Sequence, residues 1–370
     1  MSIAARFRET PSAESRPDRA ETKRALFVSV IVPVRDEAAN IPNLLGELAA
    51  QQYDPDRFEV LVVDGDSDDG TPEIVEAFAA GHPNFRLLHN PKRLSSAARN
   101  VGVREAKGDV VVVVDGHCEI GTPHYIANVA AAFEESKADV LGRPQPLDIT
   151  GATPLQRAVA AARNSRLGHH PESFIYSNTP QVVPAKSVGV AYRRHVFDEI
   201  GHFDETFDAH EDGEFNYRCD RAGLVCYFTP AIVVRYHPRG SLPGLFRQMV
   251  RYGRGRVRLF RKHPETFELG TLLPVVFLLG LLLGPLVCLA IPLASFGYFG
   301  CLGLYGALTA SVGLAAATSD GNPLIALYVP LAALTVHVGA GCGVLAELVQ
   351  GWKQKKESPQ SETVLVNKPR

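Results

Sequence analysis

The chain has 370 residues, with 38 Lys and Arg against 40 Asp and Glu, so its formal net charge is −2. A field this close to neutral excludes the broad basic footprint of a nucleic-acid binder. The length exceeds a typical single domain and points to one large domain with an appendage.

Charge is unevenly placed: arginine crowds into 247–261, and charged residues almost vanish from about 269 to 350. Residues 1–25 are polar and read as a disordered tail. This tail lacks the apolar run of a signal peptide, so the domain that follows is expected in the cytosol. The six cysteines form no C-x-x-C and three of them fall in apolar segments, which reads as reduced structural thiols.

From residue 27 short β runs alternate with helical segments. Strands are predicted at 27–33, 58–64, 85–89 and 109–114, and helices at 37–51, from about 72, and at 95–107. This alternation of β-branched runs with helices predicts an α/β fold with a parallel sheet covered on both faces. Ligands in such sheets bind at the carboxyl ends of strands. The polar residues cluster where that rule places them: Arg35 to Glu37, Asp64 to Asp69, and Asp115 to Glu119.

The stretch 139–240 is less regular, with strands predicted at 186–192 and 224–235 and a helix at 211–221; it is expected to complete the sheet and supply the acceptor side of a cleft. Beyond Leu242, Arg247, Arg251, Arg254 and Arg258 recur at helical spacing, with Leu245, Phe246, Met249 and Val257 on much of the other side. A basic amphipathic helix over 241–268 suits a membrane surface. The nearly uncharged stretch 269–351 divides into apolar segments at about 271–293, 295–317 and 323–350, each long enough to cross a bilayer. The polar tail 352–370 carries Lys353, Lys355 and Lys356. The arginine flank and these lysines both favour the cytosolic side, yet three crossings separate them. Either the lysine flank yields or one segment only dips into the bilayer.

Two acidic clusters carry the chemistry. Asp115-Gly116-His117 follows a five-valine run, and His210-Glu211-Asp212 opens a predicted helix. A carboxylate at a strand end, with a second ligand two residues on, reaches a divalent ion that neutralises a diphosphate leaving group. Asp115 and His117 have that spacing, and the histidine tilts the expectation from Mg²⁺ toward Mn²⁺. Moving a sugar onto a hydroxyl also requires a base, for which Asp212 is the first candidate and Glu211 the second. Asp64 is placed to accept hydrogen bonds from a base or ribose, and Arg93, Arg99 and Asn100 lie where they meet phosphate or ribose. Together these features suggest sugar transfer from a nucleotide-sugar.

Four segments in order carry a resemblance: VSVIVPVRDE at 28–37, EVLVVDGDSDDGT at 59–71, SSAARNVGVREAKGDVVVVVDGH at 95–117, and HEDGEFNYRCDRAG at 210–223. With them, residues 27–262 resemble a family 2 glycosyltransferase, an inverting enzyme of GT-A fold, and most nearly the succinoglycan-type exopolysaccharide glycosyltransferases. The resemblance implies that Pro33, Val34 and Glu37 border the nucleotide, with Asp64 beside a uracil-type base. It gives Asp115 and His117 the metal-diphosphate role and Asp212 that of general base. Gln248, Arg251 and Tyr252 look like a variant of the Q-x-x-R-W motif over the acceptor or diphosphate, with tyrosine in place of tryptophan.

The expected protein is therefore a GT-A domain at 26–240 followed by transmembrane helices, in the inner membrane with its catalytic domain cytoplasmic. It would move a hexose from a UDP-sugar to a lipid-linked saccharide, within or outside a polysaccharide assembly complex. Transfer directly to a polyprenyl phosphate or ceramide-like lipid, and a catalytically silent scaffold, are the alternatives. A nucleotidyltransferase is disfavoured, because VPVRDE stands where a Gly-rich phosphate loop would follow the first strand.

Overall fold

The computed structural model describes residues 25–166, 168 and 174–357. The expectations for residues 1–24 and for 358–370 fall outside these. The first strands form as the β-branched runs dictate: β1 (Val28–Val34), β2 (Phe58–Asp64), β3 (Phe85–His89) and β4 (Val110–Val113). They lie parallel in the order β3-β2-β1-β4. Between them run α1 (Ile41–Ala49), α2 (Thr71–Ala79) and α3 (Ser95–Glu105). The first helix starts later than predicted, because 37–40 form a turn and Pro42 sits in the first helical turn.

The second half departs from the all-parallel expectation. After β5 (Cys118–Glu119) come α4 (Tyr125–Ser136), β6 (Val140–Gly142), α5 (Pro154–Asn164), β7 (Gln181–Val182) and β8 (Gly189–Arg193). Strand β8 runs antiparallel to both β4 and β6, and β7 antiparallel to β9 (Cys226–Phe228), so the eight-stranded sheet is mixed. The strand predicted at 224–235 is broken at Pro230, where a single 3₁₀ turn intervenes. Its far end becomes β10 (Arg235–Tyr236), which leaves the main sheet to pair with β5.

Strand alternation sends Val28, Val30, Val32 and Val34 to the face covered by α1, α2 and α4. Ile31, Leu61, Val63 and Val111 face α3, α6 (Arg194–Ile200) and α7 (Glu211–Ala222). All six cysteines are free; Cys118, Cys219 and Cys226 are buried, and burial pushes the Cys118 and Cys219 thiols up to about 12.

Helix α8 (Leu242–Lys262) comes next, and α9 (Leu273–Ala290), α10 (Ala294–Asp320) and α11 (Leu324–Glu357) follow. Three apolar helices, Leu269–Ala290, Ala294–Asp320 and Leu324–Gly351, are long enough to cross a membrane. The apolar side of α8 packs on protein. Leu245 and Met249 pack with Val329, Ala332 and Val336 of α11, and Val257 packs with Val344.

Glu214, fully buried on α7, fastens α8 to the domain by accepting from Lys262 Nζ at 2.8 Å and lying 3.0 Å from His263 Nε2, while Arg218 pairs with it at 3.0 Å. Burial opposes its charge, but the hydrogen bonds from Arg218, His263 and Lys262 and the charge of Arg218 outweigh it and hold the carboxyl below its ordinary value of 4.5. A carboxylate with a depressed folded pKa adds stability above its unfolded value and loses it as pH falls through the folded one. Glu214→Gln is therefore expected to lower the melting temperature in detergent by about 5 °C near neutral pH. The gap from wild type should narrow as pH falls from 4.5 through the lowered folded pKa; a gap independent of pH would show that the charge is not what holds the clamp.

Candidate active site

The sheet order places β1 between β2 and β4, so the chain turns in opposite directions on either side of β1, and the crevice above their carboxyl ends is the expected ligand position. A cavity of about 880 Å³ opens there. That is large enough for a nucleotide-sugar with part of an acceptor.

The loop after β1 is held by the acidic loop after β2. Asp36 N–H donates to Ser67 Oγ at 2.9 Å, Glu37 N–H to Thr71 Oγ1 at 3.0 Å, and Ala38 N–H to Asp69 Oδ2 at 2.9 Å. The DGDSDDGT run thus acts as a bracket for its neighbour. Asp64 belongs to this bracket: its carboxylate accepts from Ser67 Oγ at 2.6 Å and Ser67 N–H at 3.1 Å, and Gly65 rather than Asp64 lines the cavity.

The Asp115 loop is fixed from two sides. Glu47 of α1 accepts from Ile120 N–H at 2.7 Å, and pairing of β10 with β5 brings Tyr236 over Asp115, to which its hydroxyl donates at 2.5 Å. Gly116 is required by close approach, since a Cβ there would sit 2.6 Å from Val34 Cγ1. Burial opposes ionisation of Asp115, but Arg99, His117 and the Tyr236 hydroxyl outweigh it and hold the carboxyl below the ordinary range. His117 Nδ1 lies 3.3 Å from Glu37 Oε1; burial opposes its charge, but Glu37 and Asp115 push its pKa up.

Arg99 projects from α3 into the wall between the two acidic clusters, 3.5 Å from Asp115 Oδ1 and 3.2 Å from Glu211 Oε1. Burial disfavours its charge, but the carboxylates of Glu211, Asp115 and Asp212 keep it fully protonated. Its neighbour Asn100 faces the other way. That amide donates to Phe203 O and accepts from Phe203 N–H, each at 2.9 Å, and does not line the cavity. Asn100 therefore ties α3 to the loop before α7.

Helix α7 begins at His210 with φ +66°, a left-handed turn uncommon for a non-glycine residue. The turn separates the two candidate bases. Glu211 is buried against Arg99, whereas Asp212 is exposed to the cavity and, among the described residues, its Oδ1 accepts only from the adjacent Gly213 N–H, at 2.7 Å. From α8, Gln248, Arg251 and Tyr252 reach the same cavity, Arg251 donating to Asp208 O at 2.7 Å. Pro33, Val34, Glu37 and Arg93 also line it, Arg93 with its Nε donating to Asp66 at 2.8 Å. All the sequence-predicted site residues except Asp64 and Asn100 thus converge, from loops a hundred residues apart.

The sequence reading missed Arg143, at the end of β6. It is 1% exposed, lines the cavity, and among the described residues its Nε and Nη1 have no hydrogen-bond partner. A buried cation with open donors suits an anionic ligand. It lies in no recognisable motif, so nothing in the sequence marked it. Tyr236 was missed for the same reason.

Among the described residues no cluster of three or more His, Cys, Asp or Glu forms a metal cage. The donor set does suit an ion shared with substrate, since Mg²⁺ and Mn²⁺ sites commonly draw one or two protein ligands and complete their shell with phosphate oxygen and water. Asp115 supplies a carboxylate held in its charged form, and His117 Nε2 has no partner among the described residues.

The family model described as Glycosyl transferase family 2 matches residues 29–201, and that described as Glycosyl transferase family group 2 matches residues 119–319. Succinoglycan biosynthesis protein ExoA of Rhizobium meliloti is 30% identical over 327 residues, spanning 86% of this chain and 94% of that protein. Glycosyltransferase AglE of Haloferax volcanii is 28% identical over 237 residues, or 63% of this chain and 74% of its own length. In structure, the mannosyltransferase PcManGT from Pyrobaculum calidifontis, solved with GDP-Man and Mn²⁺, is similar with a TM-score of 0.54 at 21% identity, covering 89% of this chain and 88% of that one. The mixed sheet with its ligand crevice is a GT-A fold, and the chain belongs to the family 2 glycosyltransferases.

Proposed function

We propose that the protein is a membrane-anchored, inverting hexosyltransferase that moves one sugar from a UDP-sugar to a lipid-linked saccharide in exopolysaccharide or cell-surface glycan synthesis. The observation that carries this reading is the shared cavity. Asp115 and Asp212 open into one space, and its remaining wall is α8, which packs directly on the apolar helices. A donor held over β1 and β4 would therefore face an acceptor presented from the lipid side. Similarity over most of the chain to a succinoglycan biosynthesis protein supports the polysaccharide context.

In this mechanism Asp212 accepts the proton of the acceptor hydroxyl as that oxygen bonds to the sugar's anomeric carbon. The bond from that carbon to the donor phosphate breaks, and the nucleoside diphosphate leaves with the electron pair. Arg99 and Arg143 face the diphosphate side and stabilise its charge where water is largely excluded. A Mn²⁺ or Mg²⁺ ion, held by Asp115 and His117, would neutralise the departing diphosphate. Glu211 positions Arg99 and through it Asp115. Arg239 and Arg247 also line the cavity and form no hydrogen bond or ion pair among the described residues, which suits the phosphate linking an acceptor sugar to its lipid.

The test is transfer itself. Membranes containing the full chain, incubated with a panel of labelled UDP-sugars and lipid-linked saccharides, should yield one extended lipid product with inverted anomeric configuration. Product formed only on polyprenyl phosphate lacking a sugar would move the assignment to direct lipid glycosylation. Absence of both transfer and donor hydrolysis with Mn²⁺ present would leave a silent scaffold.

A further inference from the structure

The third apolar helix is long enough to cross a bilayer, but its neighbours leave it no room to do so. Helix α8 is fastened along its length to the catalytic domain. Arg251 donates to Asp208 O at 2.7 Å, and Lys262 reaches Asp204 at 2.6 Å and Glu214 at 2.8 Å. On its opposite side α8 runs alongside α11 in the same direction. Contact proceeds from Met249 with Val336 and Gly339, through Val250 with Gly343, to Arg261 with Glu347 and Gly351.

The approach is backbone to backbone. A Cβ on Gly343 would lie 2.2 Å from Val250 O, and one on Gly253 would lie 2.4 Å from Ala340 O. Small residues at these positions allow close, continuous packing. Toward its start, α11 packs Ile325 and Val329 on Ala158, Val159 and Ala162 of α5. From 325 to 351, about 39 Å at 1.5 Å per residue, the helix therefore never leaves elements belonging to the catalytic domain or fastened to it. A helix crossing the bilayer would instead have to part from these domain-bound elements over roughly 30 Å of hydrocarbon.

Charge marks the same layer at both ends. Asp320, just before α11, pairs with Arg157 of α5 at 2.6 Å. Glu347, near the other end and only 4% exposed, pairs with Arg258 and Arg261 of α8, each at 3.2 Å. Were α11 to cross the bilayer, the ion pairs at its two ends would lie within hydrocarbon or on opposite sides of it, although α5 belongs to the catalytic domain and α8 is fastened to it. The α9–α10 hairpin differs. Leu282, Leu286, Leu289, Phe296 and Phe299 are exposed around an apolar turn at Ile291-Pro292-Leu293, and α10 returns to α5 at Asp320.

We infer that α11 lies along the membrane face, with α8 on one side and the start of α9 and the end of α10 packed on it at Gly341 and Gly313, while the rest of the α9–α10 hairpin enters the bilayer and returns to the face it left. The end of α11 is then on the same side as the catalytic domain, and Lys353, Lys355 and Lys356 share that side with the arginines of α8. This removes the conflict with the positive-inside rule that three crossings create. The inference rests on the membrane reading and is independent of which sugar is transferred.

The test uses the full chain in sealed membrane vesicles of both orientations, labelled with a membrane-impermeant maleimide. Wild type supplies the background from native cysteines. Lys355→Cys and Glu76→Cys, the latter on exposed α2, should gain label in the same vesicle orientation and lose it in the other. Gain of label by Lys355→Cys only in the orientation that hides Glu76→Cys would overturn the inference. Protease accessibility of an epitope tag placed after Arg370 reads the same side without altering a folded residue, and protection of that tag where Glu76→Cys labels would also overturn it. Release of the chain by alkaline carbonate would instead defeat the underlying membrane reading.

Discussion

Asp212→Asn should lower kcat by about 10²- to 10⁴-fold while leaving KM for the donor near its wild-type value. The substitution keeps the side chain's shape and an oxygen for the Gly213 N–H, and removes only the capacity to take a proton. Asp212 makes no ion pair among the described residues, so the fold should not suffer. Glu211→Gln supplies the contrast. Glu211 is engaged with Arg99 inside the wall, so its loss should disturb donor affinity through Arg99 and Asp115. Unchanged turnover in Asp212→Asn, or a larger kcat loss in Glu211→Gln with unchanged KM, would transfer the base role to Glu211.

Asp115→Ala should erase the metal dependence of nucleotide binding. Wild type is expected to bind UDP more tightly with Mn²⁺ than without, and the variant should lose about 10-fold or more of that gain, read by titration calorimetry. Arg99 keeps Glu211 as a partner in the variant, so the cavity wall persists. Asp115→Asn, which retains an oxygen for the Tyr236 hydroxyl, separates a lost charge from a lost hydrogen bond. Equal affinity with and without Mn²⁺ in wild type, or an undiminished metal effect in both variants, would defeat the metal role of Asp115.

Local signals located most of the elements and most of the cavity lining. The β-branched runs, their helical partners and the polar residues at strand ends all follow from short-range periodicity, and β1 to β4 form as that periodicity requires. What local pattern does not reveal is equally specific. Asp64 and Asn100 have the polarity and placement of ligands, yet their hydrogen bonds close on Ser67 and Phe203. A polar side chain near a cavity either faces it or braces the loop beside it, and that choice depends on contacts far along the chain.

Residue chemistry and spacing alone predicted an α/β sheet with acidic clusters at the carboxyl ends of its strands and apolar helices behind it. Tertiary structure decided which acids are free and which are tied, because burial and partner distance separate Asp212 from Glu211 where sequence sets them side by side. It also decided the burial of Arg143 and the path of α11. An apolar run records only that a helix avoids water, and whether it meets lipid or another helix depends on neighbours such as α8 and α5.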